Sequence, residues 1–302
     1  MATIGAMTDD VLDMVYGIAR IERPAEDTLV NAVSGTTDVA WEMTTPALWK
    51  RGDYCEDQAA GEIVIMSTNH PSAGNDVTVR RGQNGTTALA AYATTTAVFY
   101  KNPVFPRYRI ERFINETVDN DLFPHVWMVG ETTLSFTVGD TTYEMPTDCG
   151  DVLQVYQSDL NSDGKFYPID TQAWEYVPVV ASAESTNLNF LRLRHVIDET
   201  ATVYVTYKQK PSSSSLSDLS TSLAAMVPWR VVGKLLAGTR LTPARAAPGR
   251  ATPVANQSGS QLSRDFAAFD VEFRRMRKDE QNRLNKQVPI QKRFQHARVW
   301  VG

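Results

Sequence analysis

The period of the hydrophobic pattern changes along the chain, and that change limits the folds open to it. Near both ends apolar residues recur every three or four positions, as one face of a helix requires. Between residues 61 and 209, short runs rich in β-branched residues alternate with turn-forming ones, as strands require. The pattern predicts an α+β fold in which N-terminal, central and long C-terminal helices form a helical body carrying antiparallel β insertions. Val11, Leu12, Val15 and Ile18 make the first stripe, predicting a helix over 8–19 with Thr8 as its cap and Asp9 and Asp10 in its first turn. Residues 24–33 and 37–43 read as further short helices. Ile110, Phe113, Ile114 and Val118 place another over 106–120.

Glu62-Ile63-Val64-Ile65-Met66 and Asp76-Val77-Thr78-Val79-Arg80 predict two strands joined by a loop, with a third over 97–100. Further strands are expected within 134–138, 152–156, 175–180, 188–193 and 201–207, several alternating apolar with polar as in a sandwich or barrel with one wet face. Pro211-Ser212-Ser213-Ser214-Ser215 has the composition of a linker, and helical spacing resumes over 216–237, where Pro228 is placed to kink or split the helix. After a Pro- and Gly-containing arm, Leu262, Phe266, Phe269, Phe273 and Met276 return at steps of three and four residues. The expected domain order is a helical body over 1–60 and 102–130, a small β unit over 61–101 and an antiparallel β domain over 131–210. The body continues over 211–242, followed by an extended arm over 243–259 and an amphipathic helix with a basic tail over 260–302.

Charge is distributed unevenly. Up to Lys210 there are 15 basic and 29 acidic residues, a balance of −14, and from Pro211 onward 15 and 6, a balance of +9. The two parts are expected to face different partners. Arg274, Arg275, Arg277, Lys278, Arg283 and Lys286, followed by Lys292, Arg293 and Arg298, suit either an acidic protein surface or nonspecific contact with DNA phosphates. The first residues carry acids and no basic region before an apolar run, so neither a signal peptide nor a membrane span is expected, and synthesis in a cytoplasm is.

The usual marks of catalysis do not appear. His70, His125, His195 and His296 form no metal-binding pair, and there is no phosphate-binding glycine loop, nucleophile elbow or His-Glu-x-x-His motif. Cys55 and Cys149 read as two inert thiols. The chain is therefore expected to be no enzyme and to need no cofactor. Asp159, Asn161, Asp163 and Asp170 are spaced as in a calcium-binding loop, with Gly164 after the third oxygen ligand. Asp, Asn and Gly are equally the vocabulary of a hairpin turn, and both readings remain open at this point.

A further segment, Arg80-Arg81-Gly82-Gln83-Asn84-Gly85-Thr86-Thr87-Ala88, precedes a strand and then Asn102-Pro103-Val104-Phe105. Gly82 and Gly85 permit a tight turn, and Thr86 favours re-entry into a strand. The segment resembles a β-turn element of tailed-bacteriophage virion proteins. With the basic amphipathic C-terminal helix, the chain is similar to head-to-tail adaptor proteins, also called connector or neck proteins. The resemblance implies a virion structural protein at the head-tail junction, a homo-oligomeric ring of about twelve subunits bridging the portal protein and a tail or nozzle protein around a DNA channel. Acidic side chains lining such a channel would keep DNA sliding. On this reading Phe266, Phe269, Phe273 and Met276 pack against a portal or an adjacent subunit, and Arg274, Arg277, Lys292, Arg293, Arg298 and Trp300 contact the partner. The alternative for the four apolar residues is closure of the subunit's own core. Competing functions are another neck, nozzle or tail component and, from a different class, a carbohydrate-binding or hydrolytic β domain. The mark of the last would be two carboxylates in a cleft lined by aromatics such as Trp174, Tyr176 and Tyr204.

Overall fold

The computed structural model describes residues 3–18, 23–59, 61–71, 74–93, 97–134, 140–158, 166–178, 189–194, 202–238 and 259–287. Contacts divide the chain into two units, one of Ile4–Ile114 with Pro228–Asp270 and one of Met1–Thr3, Asn115–Val227 and Val271–Gly302. The described residues hold thirteen strands in three sheets and four α-helices, so the architecture is mainly antiparallel β. This corrects the expectation of a helical body with β insertions.

In the first unit, helix α1 (Ile4–Asp13) continues into a π-helical turn at Met14–Ile18 and buries Met7, Val11, Leu12 and Val15. Thr8 is no cap. The helix starts a turn earlier, and the Thr8 hydroxyl donates back to the Ile4 carbonyl at 2.7 Å. Strands β1 (Glu26–Thr28), β2 (Ala40–Trp41), β3 (Tyr54–Asp57), β4 (Ile63–Met66), β5 (Val77–Arg80) and β6 (Val98–Lys101) form an antiparallel sheet in the order β1-β6-β3-β4-β5-β2. The edges approach each other through a bridge between Leu29 and Met43, flanked by Val30 N–H to the Glu42 carbonyl and Thr44 N–H to the Thr28 carbonyl. The result is a half-barrel around Trp41, Met43, Trp49, Val64, Met66, Val77 and Phe99.

Residues 24–33 and 37–43, expected to be helical, thus contribute β1 and β2. Leu29 and Val33 do recur at a helical interval, but bridges to Met43 and Tyr92 bury them in extended chain. The Asp27 carboxylate fixes the bend by accepting from the Trp49 indole at 2.6 Å and from Thr45 N–H at 3.1 Å. Helix α2 (Arg107–Glu116) then buries Ile110 and Ile114 and passes into a second π-helical turn, Thr117–Asp121.

In the second unit, β7 (Met128–Leu134), β9 (Cys149–Ser158), β10 (Phe166–Pro168) and β13 (Val203–Gln209) make a sheet ordered β10-β9-β13-β7. Strands β8 (Thr142–Glu144), β11 (Trp174–Pro178) and β12 (Asn189–Leu193) make another ordered β11-β12-β8. Both sheets send side chains into one core, including Val152, Val155, Val203 and Val205 from the first and Tyr143, Trp174, Leu191 and Leu193 from the second, the construction of a sandwich. The serine run is no linker. Asp119 accepts from the Ser213 N–H and hydroxyl at 2.7 and 2.8 Å, and Ser213–Asp218 forms a short 3-10 helix burying Leu216.

Two long helices complete the described chain, α3 (Thr221–Gly238) and α4 (Gly259–Gln287). They run antiparallel, as Ser222 bonds Glu280 at 2.8 Å and Arg230 pairs with Asp270 at 2.8 Å. Helix α3 continues through Pro228 without a break. The expected arm at 243–259 falls outside the described residues up to 258.

Candidate partner interface

The turn that carries the virion-protein resemblance is a closed polar lock. The Glu62 side chain is 0% exposed and that of Arg81 is 3% exposed. Arg81 donates through Nε to Glu62 Oε1 at 3.0 Å and through Nη2 to Oε2 at 2.7 Å, a bidentate pair. Glu62 also accepts from Gly82 N–H at 3.1 Å, Leu89 N–H at 2.9 Å and the Tyr92 hydroxyl at 2.7 Å. The remaining guanidinium donors reach the Leu89 and Gly35 carbonyls, and the group stands 5.4 Å from the ring centres of both Trp41 and Tyr92. Burial alone would push the Glu62 carboxyl up, but the Arg81, Leu89 and Tyr92 donors hold it below the usual range. The Tyr92 hydroxyl is pushed well up by burial and by its bond to that carboxylate.

The glycines and threonine of the motif shape this lock. Gly82 has φ +59°, and a Cβ there would meet the Thr86 carbonyl oxygen at 3.1 Å. Gly85 also has positive φ. The Thr86 hydroxyl donates to the Gln83 carbonyl at 2.8 Å and accepts from Ile63 N–H at 3.0 Å, tying the turn to β4. Downstream, the Asn102 side chain accepts from Tyr54 N–H at 2.9 Å and donates to Asp53 at 2.9 Å. Phe105 is buried. Arg81, Gln83, Thr86 and Asn102 of these segments therefore spend their polar groups on folding. The sequence pointed to Gly82, Gly85 and Thr86 but missed Glu62, Arg81 and the two rings, whose partnership requires strands to be paired first.

The residues expected to meet a partner separate into groups. Phe269 and Phe273 are buried, Phe269 with its ring 5.5 Å from that of Trp229 on α3. They pack within the chain, the arrangement that closure of the subunit's own core requires. Met276 is half-buried, and Arg274 is exposed on α4. Arg277 lies over the Phe273 ring at 5.5 Å. Phe266 lies within α4, and Lys292, Arg293, Arg298 and Trp300 lie outside the described residues. Much of the basic character of α4 is spent along the helix. Arg275 contacts Glu272 and Asp279, and Arg283 pairs with Glu280 at 2.6 Å.

Among the described residues, no group of three or more His, Cys, Asp or Glu side chains could hold a metal ion. Of the proposed calcium ligands, Asp159, Asn161 and Asp163 lie outside the described residues. Asp170 caps a turn by accepting from Gln172 N–H at 2.9 Å. The flanking residues Ser158 and Phe166 pair directly across an antiparallel hairpin. His70 is buried, accepts from Met43 N–H at 3.1 Å through Nε2, and is pushed down by burial toward the neutral form. His125 is exposed, and His195 and His296 lie outside the described residues. Cys55 and Cys149 are buried free thiols, both pushed up by burial, Cys149 to about 11.

The aromatics considered for glycan binding serve the sandwich. Trp174 is a core residue, and the Tyr176 hydroxyl donates to Asn189 Oδ1 at 2.8 Å. Tyr204 pairs across the sheet with Tyr156 and Thr133. A depression of about 560 Å³ in the first unit is lined by Gly5, Ala6, Ala59, Asp9, Asp57 and Arg107, among others. Its charge is partly neutralised by the Arg107–Asp9 pair at 2.8 Å. No described helix is long and apolar enough to cross a membrane. Comparison with known proteins gives no match to any family model and none to a curated protein sequence.

Proposed function

We propose that the chain is a non-enzymatic structural protein of a tailed-phage particle, a self-associating subunit of the ring that bridges portal and tail around a DNA channel. The observation that carries the reading is the lock around Arg81 and Glu62. The string that resembles virion proteins satisfies its buried charges internally and presents no reactive group, as an element that shapes a scaffold does. The ring on this reading is built from a half-barrel and a sandwich, and no helical body is required. The sandwich favours a second position within the same particle, another neck, nozzle or tail component, since paired antiparallel sheets supply broad faces for stacking.

Co-purification with a portal ring tests the reading. The full chain is expected to bind the portal as a closed multimer and to lose attachment, with folding intact, when residues 289–302 are deleted. Failure to bind the portal combined with binding to tail structures would select the second position. Binding to neither would overturn both.

A further inference from the structure

The half-barrel closes at a seam whose middle rests on His70. Leu29 and Met43 face each other across it, and the bonds on either side run from Val30 N–H to the Glu42 carbonyl and from Thr44 N–H to the Thr28 carbonyl. In an antiparallel pair flanked in this way, the N–H of each facing residue points away from the other strand. The Met43 N–H therefore turns toward the loop between β4 and β5, where it donates to His70 Nε2 at 3.1 Å. Strand β2 pairs with β5 as far as Trp41 opposite Val77, so the imidazole stands where the next ladder partner would be. His70 is buried, and a buried N–H left without an acceptor bears the full cost of its desolvation.

That bond exists in one protonation state. An N–H can donate to Nε2 while that nitrogen is bare, so the ring is neutral and carries its proton on Nδ1. A second proton has to sit on Nε2, where it opposes the Met43 N–H donor to donor. Nδ1 is buried and has no hydrogen-bond partner among the described residues, so no acceptor there compensates an imidazolium. The charged groups facing the ring are Glu42 beside Met43, Asp27 on β1 and Asp76 just before β5; all three favour the proton, but burial outweighs them and holds the ring toward its neutral form. Glu42 and Asp27 are already engaged, the first by Asn31 and the Gly74 N–H, the second by Trp49 and the Thr45 N–H.

We propose that His70 is an acid-released latch: a proton taken from solvent onto Nε2 breaks the bond to Met43 and lets residues 42–44 part from 28–30, opening the half-barrel along its seam. Opening bares Leu29 and Met43, each 0% exposed when the seam is closed. The β3-β4-β5 ladder lies outside the seam and stays paired, and the Asp27 bonds to Thr45 and Trp49 keep the parted strands tethered, so the opening is local. Its sign follows from the bond. The closed seam requires the neutral ring, so the latch holds fully above the ordinary histidine value of about 6.5 and is lost as pH falls below it. The latch needs the half-barrel alone and stands apart from the portal and ring reading.

Amide hydrogen exchange of the full chain, expressed as protection factors so that the intrinsic pH dependence cancels, tests the latch. Protection at Val30, Met43 and Thr44 is expected to fall at least about fivefold between about pH 7.5 and pH 5, with the β4 amides unchanged. H70Q keeps an acceptor for the Met43 N–H that takes up no proton in this range, and is expected to hold seam protection nearly constant. Nitrogen chemical shifts of the wild-type ring give a reading independent of any variant: a bare Nε2 at the higher pH, protonated in step with seam exchange. A wild-type seam equally protected at both pH values overturns the latch, as does ring protonation that leaves seam exchange unchanged. Protection lost from β4 together with the seam overturns it in favour of unfolding of the whole unit. An H70Q chain as acid-sensitive as the wild type overturns it in favour of the carboxylates that face the ring.

Discussion

In the half-barrel unit, Asp27, Glu42, Glu56, Asp57, Glu62, His70 and Arg107 are all buried. Among the described sandwich residues between 128 and 209, Asn189 is the buried polar side chain, held by the Pro146 and Thr147 carbonyls and the Tyr176 hydroxyl. The half-barrel is small, with strands of two to four residues, and short strands supply few ladder bonds and little apolar face. Buried polar and ionisable side chains fix its loops where strands do not reach. The sandwich has strands of up to ten residues and relies on apolar packing between two sheets. One region is specified by polar partners and the other by shape, and they should fail under different insults.

The largest expected effect comes from breaking the lock. Arg81→Ala leaves the Glu62 carboxylate buried without its bidentate partner and should cost about 3–5 kcal/mol. Hydrogen exchange should show lost protection in β3 to β6, with β9 and β13 retaining theirs. Equal loss in both regions would show that the two unfold as one cooperative body and would break the distinction.

A second test uses pH. Glu56 is 1% exposed and accepts from Arg107 N–H at 2.6 Å. Burial outweighs the opposing influence of Arg107 and pushes its carboxyl up to about 8. A carboxyl raised in the folded state contributes stability that is fully present below its unfolded value and is lost as pH rises through about 8. Glu62, held low, behaves oppositely: its contribution is present above its unfolded value and is lost as pH falls through the folded one. On these two carboxyls alone, the half-barrel should therefore be most stable near the ordinary glutamate value that both share when unfolded, and lose stability in either direction. From pH 5 to pH 9 the Glu56 contribution should fall by on the order of 3 kcal/mol. Glu56→Gln should flatten that alkaline limb in denaturant titrations, and an unchanged slope would refute the assignment.

The same contrast explains what could be read from sequence. Strands β4, β5, β9 and β13 and helix α2 were legible because their burial follows the local period, as at Val77 and Val79 or Ile110 and Ile114. Strands β1 and β2 were not. Their conformation depends on Asp27 meeting Trp49 and on Leu29 meeting Met43, contacts made only after the sheet curls. Thr8 has the chemistry of a helix cap but bonds backward inside α1, and the serine run has the composition of a linker but is claimed by Asp119. The candidate site was legible in its backbone devices, Gly82 and Gly85, and hidden in its charges, because Glu62 and Arg81 lie on different segments and pair only across the fold.

Overpacking should harm the sandwich and spare the half-barrel. A Cβ on Gly150 would lie 2.3 Å from Cζ of Phe123, and one on Gly130 would lie 2.5 Å from Cζ of Tyr207, which pairs with it across the sheet. Each ring covers a glycine and fills the space that a side chain would take. Gly150→Ala and Gly130→Ala should each cost about 1–3 kcal/mol, read from urea midpoints with local exchange protection. Gly130→Ala should be the more severe, because the Tyr207 ring is buried while that of Phe123 is half-exposed and can swing outward.

The smallest effect sharpens the comparison from within the sandwich unit. Asp119 holds Ser213 through both its N–H and its hydroxyl, one of few polar anchors there that resemble those of the half-barrel. Asp119→Ala removes an exposed anchor and should cost about 1 kcal/mol, as the loss of a capping residue does. Exchange should quicken in Ser213–Asp218 while β13 stays protected. Were the loss to spread into β13, the anchor would be helping to hold the sheet edge in place, and the sandwich would depend on polar fixation more nearly as the half-barrel does.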